Sequence, residues 1–410
     1  MTQTGTHLDL GSPDAYSEGI PHETFNELRR NNPVTWIEEP AGDGFEGGPG
    51  FWAVTKYDDV MAVSKTPEIF SSQRGASFLR TQRPQDLVAL QQMMLNFDPP
   101  EHSKMRSIVS KAFTPKMIQR MFDDVAAHAH SIVDGLESGA EIDLVESVSS
   151  EMPLRVLADV LGVPSEDRHL LYDWTNRMVG LDDPSYGGRA AFISAFIEMF
   201  KYAADKTRVK RAEPSTDIWS LIVNAEVDGE QLTTEELNRF FQLLVIAGNE
   251  TTRNLITGFF LTLSEHPDER KKLQGDPTLL PKAIEEVLRF HSPVIQFRRT
   301  VTQDTELGGK AIKEGDKVVI FYVSANRDEE HFENPDLFRI ERGSAKHLAF
   351  GAGTHFCLGN SLARMEAKVL LEAFFTRFPD WEVTGAPDRF RSNFINGIKG
   401  LPVNLGKATS

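Results

Sequence analysis

The spacing of apolar residues predicts a mostly helical chain with short strands near its two ends. Val34–Ile37 and Phe51–Thr55 alternate apolar and polar residues as half-buried strands do, on either side of the glycine-rich loop Gly42–Gly50. From about residue 100 to residue 288, apolar residues recur at helical spacing with few long β-branched runs. The first hundred residues are therefore mixed, and the middle of the chain is helical.

Strand character returns in the last third of the chain. Phe297–Val301 and Val318–Val323 are predicted strands, with turns at Gly308-Gly309 and Gly315-Asp316. The chain is expected to end in a hairpin around Asn396-Gly397. Because helices and strands do not alternate regularly, the predicted fold class is mainly α with minor β-sheets.

Composition and domain signals place the chain among ordinary globular proteins. It has 410 residues, 40% hydrophobic and 25% charged, and no linker, low-complexity tract or repeat divides it. We expect a single domain over residues 1–410, with a flexible N-terminus over residues 1–20. The net charge of −16 argues against nucleic-acid binding. No leader peptide or membrane-spanning run is evident, and one cysteine allows no intrachain disulfide, so we expect a cytoplasmic protein.

A long helix with an unusual centre is predicted after residue 233. Thr233–Glu236 fits a capping box, and helical spacing continues to about Ser264, before His266-Pro267. Its centre, Ala247–Thr252, is rich in poor helix formers. One interpretation is a kink that serves packing. The other is an oxygen-binding groove that offers the Glu250 carboxylate and the Thr251 hydroxyl.

The only cysteine lies in a loop of unusual composition. Phe350–Gly359 places three glycines and aromatic side chains around Cys357, and an apolar stripe from Leu358 predicts an amphipathic helix that begins at the cysteine. The positive end of a helix favours a thiolate, which is the ligand that promotes O–O cleavage at haem iron. The alternative is a small buried cysteine packed in a glycine-rich bend.

Two further sets of charged residues gain meaning from their positions. Glu286 and Arg289 are three residues apart on an apolar helix, which is a weak signal on its own. A haem would bring two propionates that need cationic or donor partners. The candidate partners are His102, Arg106, Arg299 and His355.

The cysteine loop, the Ala247–Thr252 run and Glu286-x-x-Arg289, in this order, resemble the cytochrome P450 superfamily. The resemblance runs from about residue 20 to the end of the chain. It implies a single triangular, helix-rich fold that holds haem b between the long helix and the cysteine helix.

The resemblance also implies roles for individual residues. Cys357 would be the axial ligand of the haem iron, and Glu250 and Thr251 the catalytic acid–alcohol pair that manages protons for dioxygen scission. The implied structural ion pair of Glu286 and Arg289 would be joined by Arg342. The residues expected at the cofactor are His102, Arg106, Ala247, Thr251, Arg299, Phe350, His355, Cys357 and Gly359. Arg298 could take the propionate role given to Arg299.

Three segments are similar to those of bacterial sterol and methyl-branched-lipid hydroxylases: residues 94–102, 247–254 and 396–399. This similarity implies a hydrophobic substrate such as a steroid, branched lipid or terpenoid. Substrate choice is expected in the Arg74–Gln92 loop, in Val294–Phe297 and around Phe394. The expected pocket residues are Val245, Ile246, Val294, Ile295, Phe297, Phe394 and Ile395.

The implied reaction is hydroxylation with O2 and two electrons. The sequence has no flavin, nicotinamide or iron–sulfur motif, so we expect a separate ferredoxin and ferredoxin reductase. The basic run Lys104–Arg120, together with Arg364 and Lys368, is either a docking patch or a solvated helix face. Two other hypotheses are a peroxide-driven haem-thiolate enzyme and a non-catalytic haem sensor or carrier.

Overall fold

A computed structural model describes residues 9–42, 46–227, 229–343 and 346–409. Helices dominate it, as predicted. The helices are α1 (His22–Asn31), α2 (Tyr57–Lys65), α3 (Pro84–Leu90), α4 (Glu101–Ser110), α5 (Pro115–Arg120), α6 (Phe122–Asp134), α7 (Glu151–Leu161), α8 (Arg168–Val179), α9 (Gly188–Ala212), α10 (Ile218–Val223), α11 (Thr234–Glu265), α12 (Pro267–Gly275), α13 (Leu280–His291), α14 (Tyr322–Ala325) and α15 (Asn360–Arg377).

The strands are short and form small sheets. They are β1 (Val34–Glu39), β2 (Gly48–Val54), β3 (Phe70–Ser71), β4 (Glu141–Asp143), β5 (Glu226–Val227), β6 (Glu230–Gln231), β7 (Gln296–Val301), β8 (Thr305–Leu307), β9 (Lys310–Ile312), β10 (Lys317–Phe321), β11 (Glu382–Val383), β12 (Asp388–Arg389), β13 (Ile398–Gly400) and β14 (Pro402–Asn404). The largest sheet has the order β1-β2-β10-β7-β3, in which β2 and β10 are parallel and the other pairs antiparallel.

The predicted long helix is α11, which contains 32 residues and is about 48 Å long at 1.5 Å per residue. The predicted capping box is present: the Glu236 N–H donates to Thr233 Oγ1 at 3.2 Å, and the Thr233 N–H donates to Glu236 Oε2 at 2.8 Å. Helix α11 contacts α7, α8, α9, α13 and α15, so it passes through the main core of the molecule. Its central turns therefore lie where a buried site can form.

Several helices and strands begin or end at residues other than those predicted from the sequence. The strand predicted over Val318–Val323 ends at Phe321, because Tyr322 begins the short helix α14. The helix expected to begin at Cys357 begins at Asn360. Asn396-Gly397 is not a two-residue turn: residues 390–397 form the longer loop that joins β12 to β13.

The structure describes only part of the N-terminal segment, residues 1–20, that was expected to be flexible. Residues 1–8 of the segment expected to be flexible lie outside the described residues. In the part that is described, Leu10 and Tyr16 are buried and pack against Phe25 and Phe51 in a small core cluster. No helix in the described ranges is long and apolar enough to cross a membrane.

Candidate active site

An apolar cavity lies between the centre of α11 and the loop that carries Cys357. Helix α11 supplies Ile246, Ala247, Glu250 and Thr251 to its wall, and the cysteine loop supplies residues from Phe350 to Gly359. Helix α11 also supplies Phe240, Leu243 and Leu244. Further apolar walls come from segments distant in sequence: Phe78, Met93, Met94, Leu95, Val156, Leu157, Val160, Val179, Val294, Phe297, Phe394 and Ile395. The fold thus places the cysteine and the acid–alcohol turn on one enclosed space.

The cysteine loop has a fixed shape because glycines turn it against α2. Gly351 and Gly353 have φ values of 69° and 66°, which side chains other than glycine rarely adopt. A Cβ atom at Gly353 would lie 2.1 Å from the carbonyl oxygen of Ser64. The Cys357 N–H donates to the Phe350 carbonyl at 2.9 Å, and Asn360 Nδ2 donates to the Cys357 carbonyl at 2.8 Å. These contacts aim the sulfur into the cavity.

The thiol of Cys357 is subject to opposing influences. Burial raises its pKa, while the backbone N–H groups of Gly359 and Asn360 and the charges of Arg106 and Arg364 lower it. Burial is the larger effect, so the helix N-terminus that the sequence suggested does not by itself favour the thiolate. A metal cation at the sulfur would deprotonate it, as coordination does for thiols in general.

The Glu250–Thr251 turn presents one hydroxyl and one carboxylate at the cavity. Thr251 Oγ1 donates to the Ala247 carbonyl at 2.7 Å, so this hydroxyl competes for a helix carbonyl as its sequence suggested. The helix nevertheless runs through without interruption. Glu250 is 1% exposed, and burial raises the pKa of its carboxyl group, although the guanidinium of Arg253 partly opposes this.

Basic groups gather at one edge of the cavity, where His102, Arg106, Arg299 and His355 all line it. The two histidine rings lie 4.2 Å apart, and His102 Nδ1 has no hydrogen-bond partner among the described residues. Burial and neighbouring arginines lower the pKa of His102 to about 4 and that of His355 to about 2. The positive charge of this edge therefore comes from Arg106 and Arg299, and the two neutral histidines add hydrogen-bonding groups.

The adjacent arginines of β7 point to different places. Arg299 lines the cavity and donates to the Arg298 carbonyl at 2.7 Å. Arg298 is not in the cavity wall; it donates to Thr300 Oγ1 at 3.3 Å and to the Arg80 carbonyl at 3.4 Å. Because side chains alternate across a strand, only one of the two can face the cavity. That residue is Arg299.

The structure joins Glu286, Arg289 and Arg342 in a buried ionic cluster. Glu286 accepts from Arg289 Nε at 2.9 Å, from Arg289 NH2 at 2.8 Å and from Arg342 Nε at 3.1 Å. Arg289 NH1 also donates to the carbonyls of Asn326 and Pro335, at 2.9 Å each. The cluster ties α13 to residues 326–342, the segment that leads into the cysteine loop.

A family model for cytochrome P450 matches residues 186–399. The chain belongs to the cytochrome P450 family. It is 39% identical to a steroid C26-monooxygenase of Rhodococcus jostii, over 98% of this chain and 85% of the relative. It is 40% identical to a methyl-branched lipid omega-hydroxylase of Mycobacterium tuberculosis, over 97% of this chain and 94% of the relative. The family, the fold class and the assignment as a monooxygenase predicted from the sequence are confirmed.

Solved structures agree with this assignment. A P450 of Mycobacterium marinum in complex with pseudoionone superposes with a TM-score of 0.90 at 36% identity, covering 98% of this chain and 99% of that one. A P450 of Bacillus megaterium in complex with testosterone superposes with a TM-score of 0.81, also at 36% identity, covering 94% and 99%. The assignment as an enzyme argues against the non-catalytic sensor or carrier.

The residues of this P450 fit the haem and O2 use that the family implies. The cavity offers one sulfur, apolar walls for a flat ring system, and a basic edge for two carboxylates. The fit to a haem rests on two groups at that edge, the unpartnered His102 Nδ1 and the guanidinium of Arg299. A propionate would satisfy a buried donor that otherwise has no partner.

Two residues expected in the substrate pocket lie elsewhere. Val245 is buried in the main core, and Ile295 packs in the cluster around Leu10 and Phe25; neither lines the cavity. In α11, Val245 is on the side opposite Ala247 and Thr251. Ile295 faces away from its neighbour Val294, as successive extended residues do. The correction leaves Ile246, Val294, Phe297, Phe394 and Ile395 in the wall.

The sequence missed a second carboxyl group at the cavity, that of Glu366 on α15. It is 3% exposed, its Oε2 has no partner among the described residues, and burial raises its pKa to about 8. Glu366 lies on α15 together with Leu362 and Met365 of the expected apolar stripe. The sequence signal for a buried carboxyl group was an acidic residue directly after Met365, next to the apolar stripe.

Proposed function

We propose that this P450 binds haem b through Cys357 and hydroxylates a hydrophobic small molecule with O2 and two electrons from a ferredoxin. The supporting observation is one cavity that has the Cys357 sulfur on one wall and the Glu250–Thr251 turn on another. The haem, when bound, supplies dioxygen activation and electron transfer to oxygen. The protein's own task is then to hold the haem, exclude water and deliver protons.

The basic edge would hold the haem propionates. His102 and Arg106 reach it from α4, Arg299 from β7, and His355 from the cysteine loop. The lowered pKa values of His102 and His355 follow from burial and, second, from repulsion by the neighbouring arginines, and two carboxylates would oppose both effects. Phe350 and Gly359 would lie against the haem face next to the sulfur, with Ala247 on the opposite side.

Proton delivery is assigned to the α11 turn. The Thr251 hydroxyl already lies at the cavity wall, where it can donate to a substrate oxygen or pass a proton on once it gives up its bond to the Ala247 carbonyl. Glu250 exchanges protons through its buried carboxyl group, and a raised pKa moves that group towards the pH at which both of its forms are populated.

The substrate class follows from the apolar wall around the remaining space. Phe78, Phe297 and Phe394 form an aromatic contact group: the rings of Phe297 and Phe394 are 5.3 Å apart, and those of Phe78 and Phe394 are 5.4 Å apart. Aromatic and aliphatic walls bind ligands with large apolar surfaces. The names of the relatives and the ligands of the two solved neighbours agree with a steroid, a branched lipid or a terpenoid.

The electron donor is proposed to be a separate ferredoxin, reduced by its reductase in the cytoplasm. Lys111, Lys116 and Arg120 are exposed on the chain between α4 and α6, and α5 packs against α15 next to the cysteine loop. Phe356, 41% exposed, adds an apolar side chain to the cysteine loop. Such a mixed basic surface suits an acidic partner.

One experiment tests the haem-thiolate proposal. Purified protein should bind one haem, and its reduced carbon monoxide complex should show the strongly red-shifted Soret band of a thiolate ligand. Cys357→His should lose that band and monooxygenase turnover, with Met365→Leu on α15 as a conservative control. A variant without Cys357 that kept both the band and turnover would overturn the proposal.

A second experiment identifies the substrate class. Titration of the ferric enzyme with testosterone, a methyl-branched fatty acid, pseudoionone and an aromatic acid should produce a spin-state change with the first three kinds of compound and little with the last. Product formation should need ferredoxin, reductase and O2. Efficient turnover with hydrogen peroxide alone would instead favour the peroxide-driven enzyme.

A further inference from the structure

The buried carboxylate of Glu250 is held by an ion pair on its own helix. Arg253, one turn further along α11, donates through NH2 to Glu250 Oε2. Both side chains are 1% exposed, so water does not screen the pair. A buried charge next to a buried partner is costly to leave unpaired. Where the guanidinium lies therefore decides the form that Glu250 takes.

A residue of α8 fixes the far side of the same guanidinium. Arg253 NH1 donates to Asn176 Oδ1 at 3.0 Å, and Asn176 is itself buried on α8. Glu250 Oε1 and Arg253 Nε have no hydrogen-bond partner among the described residues. The chain of contacts therefore runs from α8 through Asn176 and Arg253 to Glu250, and ends at the cavity that Glu250 lines.

The other groups around this pair come from three elements. Asp183 and Tyr186 belong to the segment between α8 and α9, and Tyr172 belongs to α8. Tyr186 interacts electrostatically with Asp183 and Tyr172, and also with Arg253 and Glu250. Helix α7 presents apolar side chains at the cavity: Pro153, Val156, Leu157 and Val160. Arg253 is thus the cation that directly opposes the effect of burial on Glu250.

We propose that Arg253 is a positioning residue for proton delivery: held by Asn176 of α8, it fixes the orientation and charge of Glu250. The inference rests on the proposed role of Glu250 in this P450. It adds that the placement of α8 controls the acid. If α8 shifts, Asn176 moves the guanidinium, and Glu250 loses the nearby charge that opposes the effect of burial on its pKa. Helix α8 also carries Val179 into the cavity wall, so a ligand that displaces it would act on Glu250 as well.

The test measures the titration of Glu250 itself in the ferric holoenzyme, without any substrate. Infrared difference spectra between the parent and Glu250→Gln isolate the carboxyl band of Glu250 as pH is changed. In Arg253→Met the midpoint of that band should rise by about one to three pH units, because the opposite charge is gone. Arg253→Lys should move it less, and Asn176→Ala should move it upward by less than Arg253→Met does.

Matched variants separate this role from simple stability. Arg208→Met removes an arginine in the same i,i+3 arrangement with Asp205, but on the exposed surface of α9, and should leave the midpoint in place. Glu250→Gln with Arg253→Met removes both buried charges and should fold even if Arg253→Met alone does not. In the Glu250→Gln background, adding Arg253→Met should not change the pH profile of electron coupling to product.

An unchanged Glu250 midpoint in Arg253→Met overturns the proposal. A second pH-profile change on adding Arg253→Met to Glu250→Gln also overturns it, because Arg253 would then act independently of Glu250. A shifted midpoint in a protein that binds haem but forms no hydroxylated product supports this inference while removing the proposed function. The two proposals can therefore fail separately.

Discussion

Arg364 and Glu285 form an ion pair in which Arg364 Nε lies 2.5 Å from Glu285 Oε1 and Arg364 NH2 lies 3.0 Å from Oε2. The same guanidinium lies 4.4 Å from the centre of the Phe350 ring. Arg364 is thus committed to the support of the cysteine loop. Lys368 likewise pairs with Glu372, and Lys104 with Glu230. The predicted docking patch therefore reduces to Lys111, Lys116 and Arg120.

Reversal of charge within that reduced patch should slow reduction by ferredoxin. Lys111→Glu with Lys116→Glu removes local attraction for an acidic protein, so the rate at low salt should fall and its salt dependence should flatten. Stopped-flow reduction measures this. The control, Lys201→Glu with Lys271→Glu, makes the same change in net charge on α9 and α12. Equal rates for the two double variants would show that Lys111 and Lys116 do not steer the partner.

Haem retention should distinguish Arg299 from Arg298. Arg299→Gln should speed transfer of haem to apomyoglobin, because the only one of the two arginines that lines the cavity is lost. Arg298→Gln, one position along the same strand, should transfer haem at nearly the parental rate. Faster loss from Arg298→Gln than from Arg299→Gln would reverse the assignment.

The sequence predicted those parts of the site that depend on local spacing. The capping box, the α11 centre and the cysteine loop are contiguous segments whose residues reveal their own geometry. The capping box is formed as predicted, and the other two segments line the cavity. The choice of Val245 and Ile295 was wrong because a face of a helix or strand has meaning only once its neighbours are known. The prediction of strand at Tyr322 is also wrong, because the apolar run Val318–Val323 gives no sign of where strand ends and helix begins.

The sequence could not predict which side chains from distant segments pair with each other. The pairing of Arg253 with Asn176 joins positions 77 residues apart, and the pairing of Arg364 with Glu285 joins positions 79 apart. Charged residues at such separations carry no periodic signal, since their pairing is decided by how helices pack. For the same reason the sequence could not distinguish a solvated arginine from one that supports Phe350.

The pH dependence of stability should reveal Glu366. Its pKa is raised to about 8 by burial, so the folded protein holds this proton to a higher pH than the unfolded chain does. Stability should therefore fall as pH rises from about 4.5 towards about 8. Glu366→Gln lacks this loss, and its melting temperature should gain on that of the parent across this range. If the difference in melting temperature between the two proteins stayed constant from about pH 5 to about pH 8, the pKa of Glu366 would not be raised.

The hydroxyl of Thr251 should matter for coupling and not for folding. Thr251→Ala should bind substrate and accept electrons, yet release more hydrogen peroxide per electron pair, because the proton donor at the cavity wall is lost. Thr257→Ala is the matched control: its hydroxyl makes the same bond to a carbonyl four residues earlier, at 2.9 Å, but lies outside the cavity. Both variants lose one such bond, so their stabilities should change alike, by about 1 kcal/mol or less. Glu250→Gln should slow turnover more than it raises peroxide release, since it removes the group that exchanges the proton. Product and peroxide, each measured against NADH consumed, separate these effects. If Thr251→Ala and Thr257→Ala had the same ratio of product to NADH as the parent, Thr251 would have no part in proton delivery.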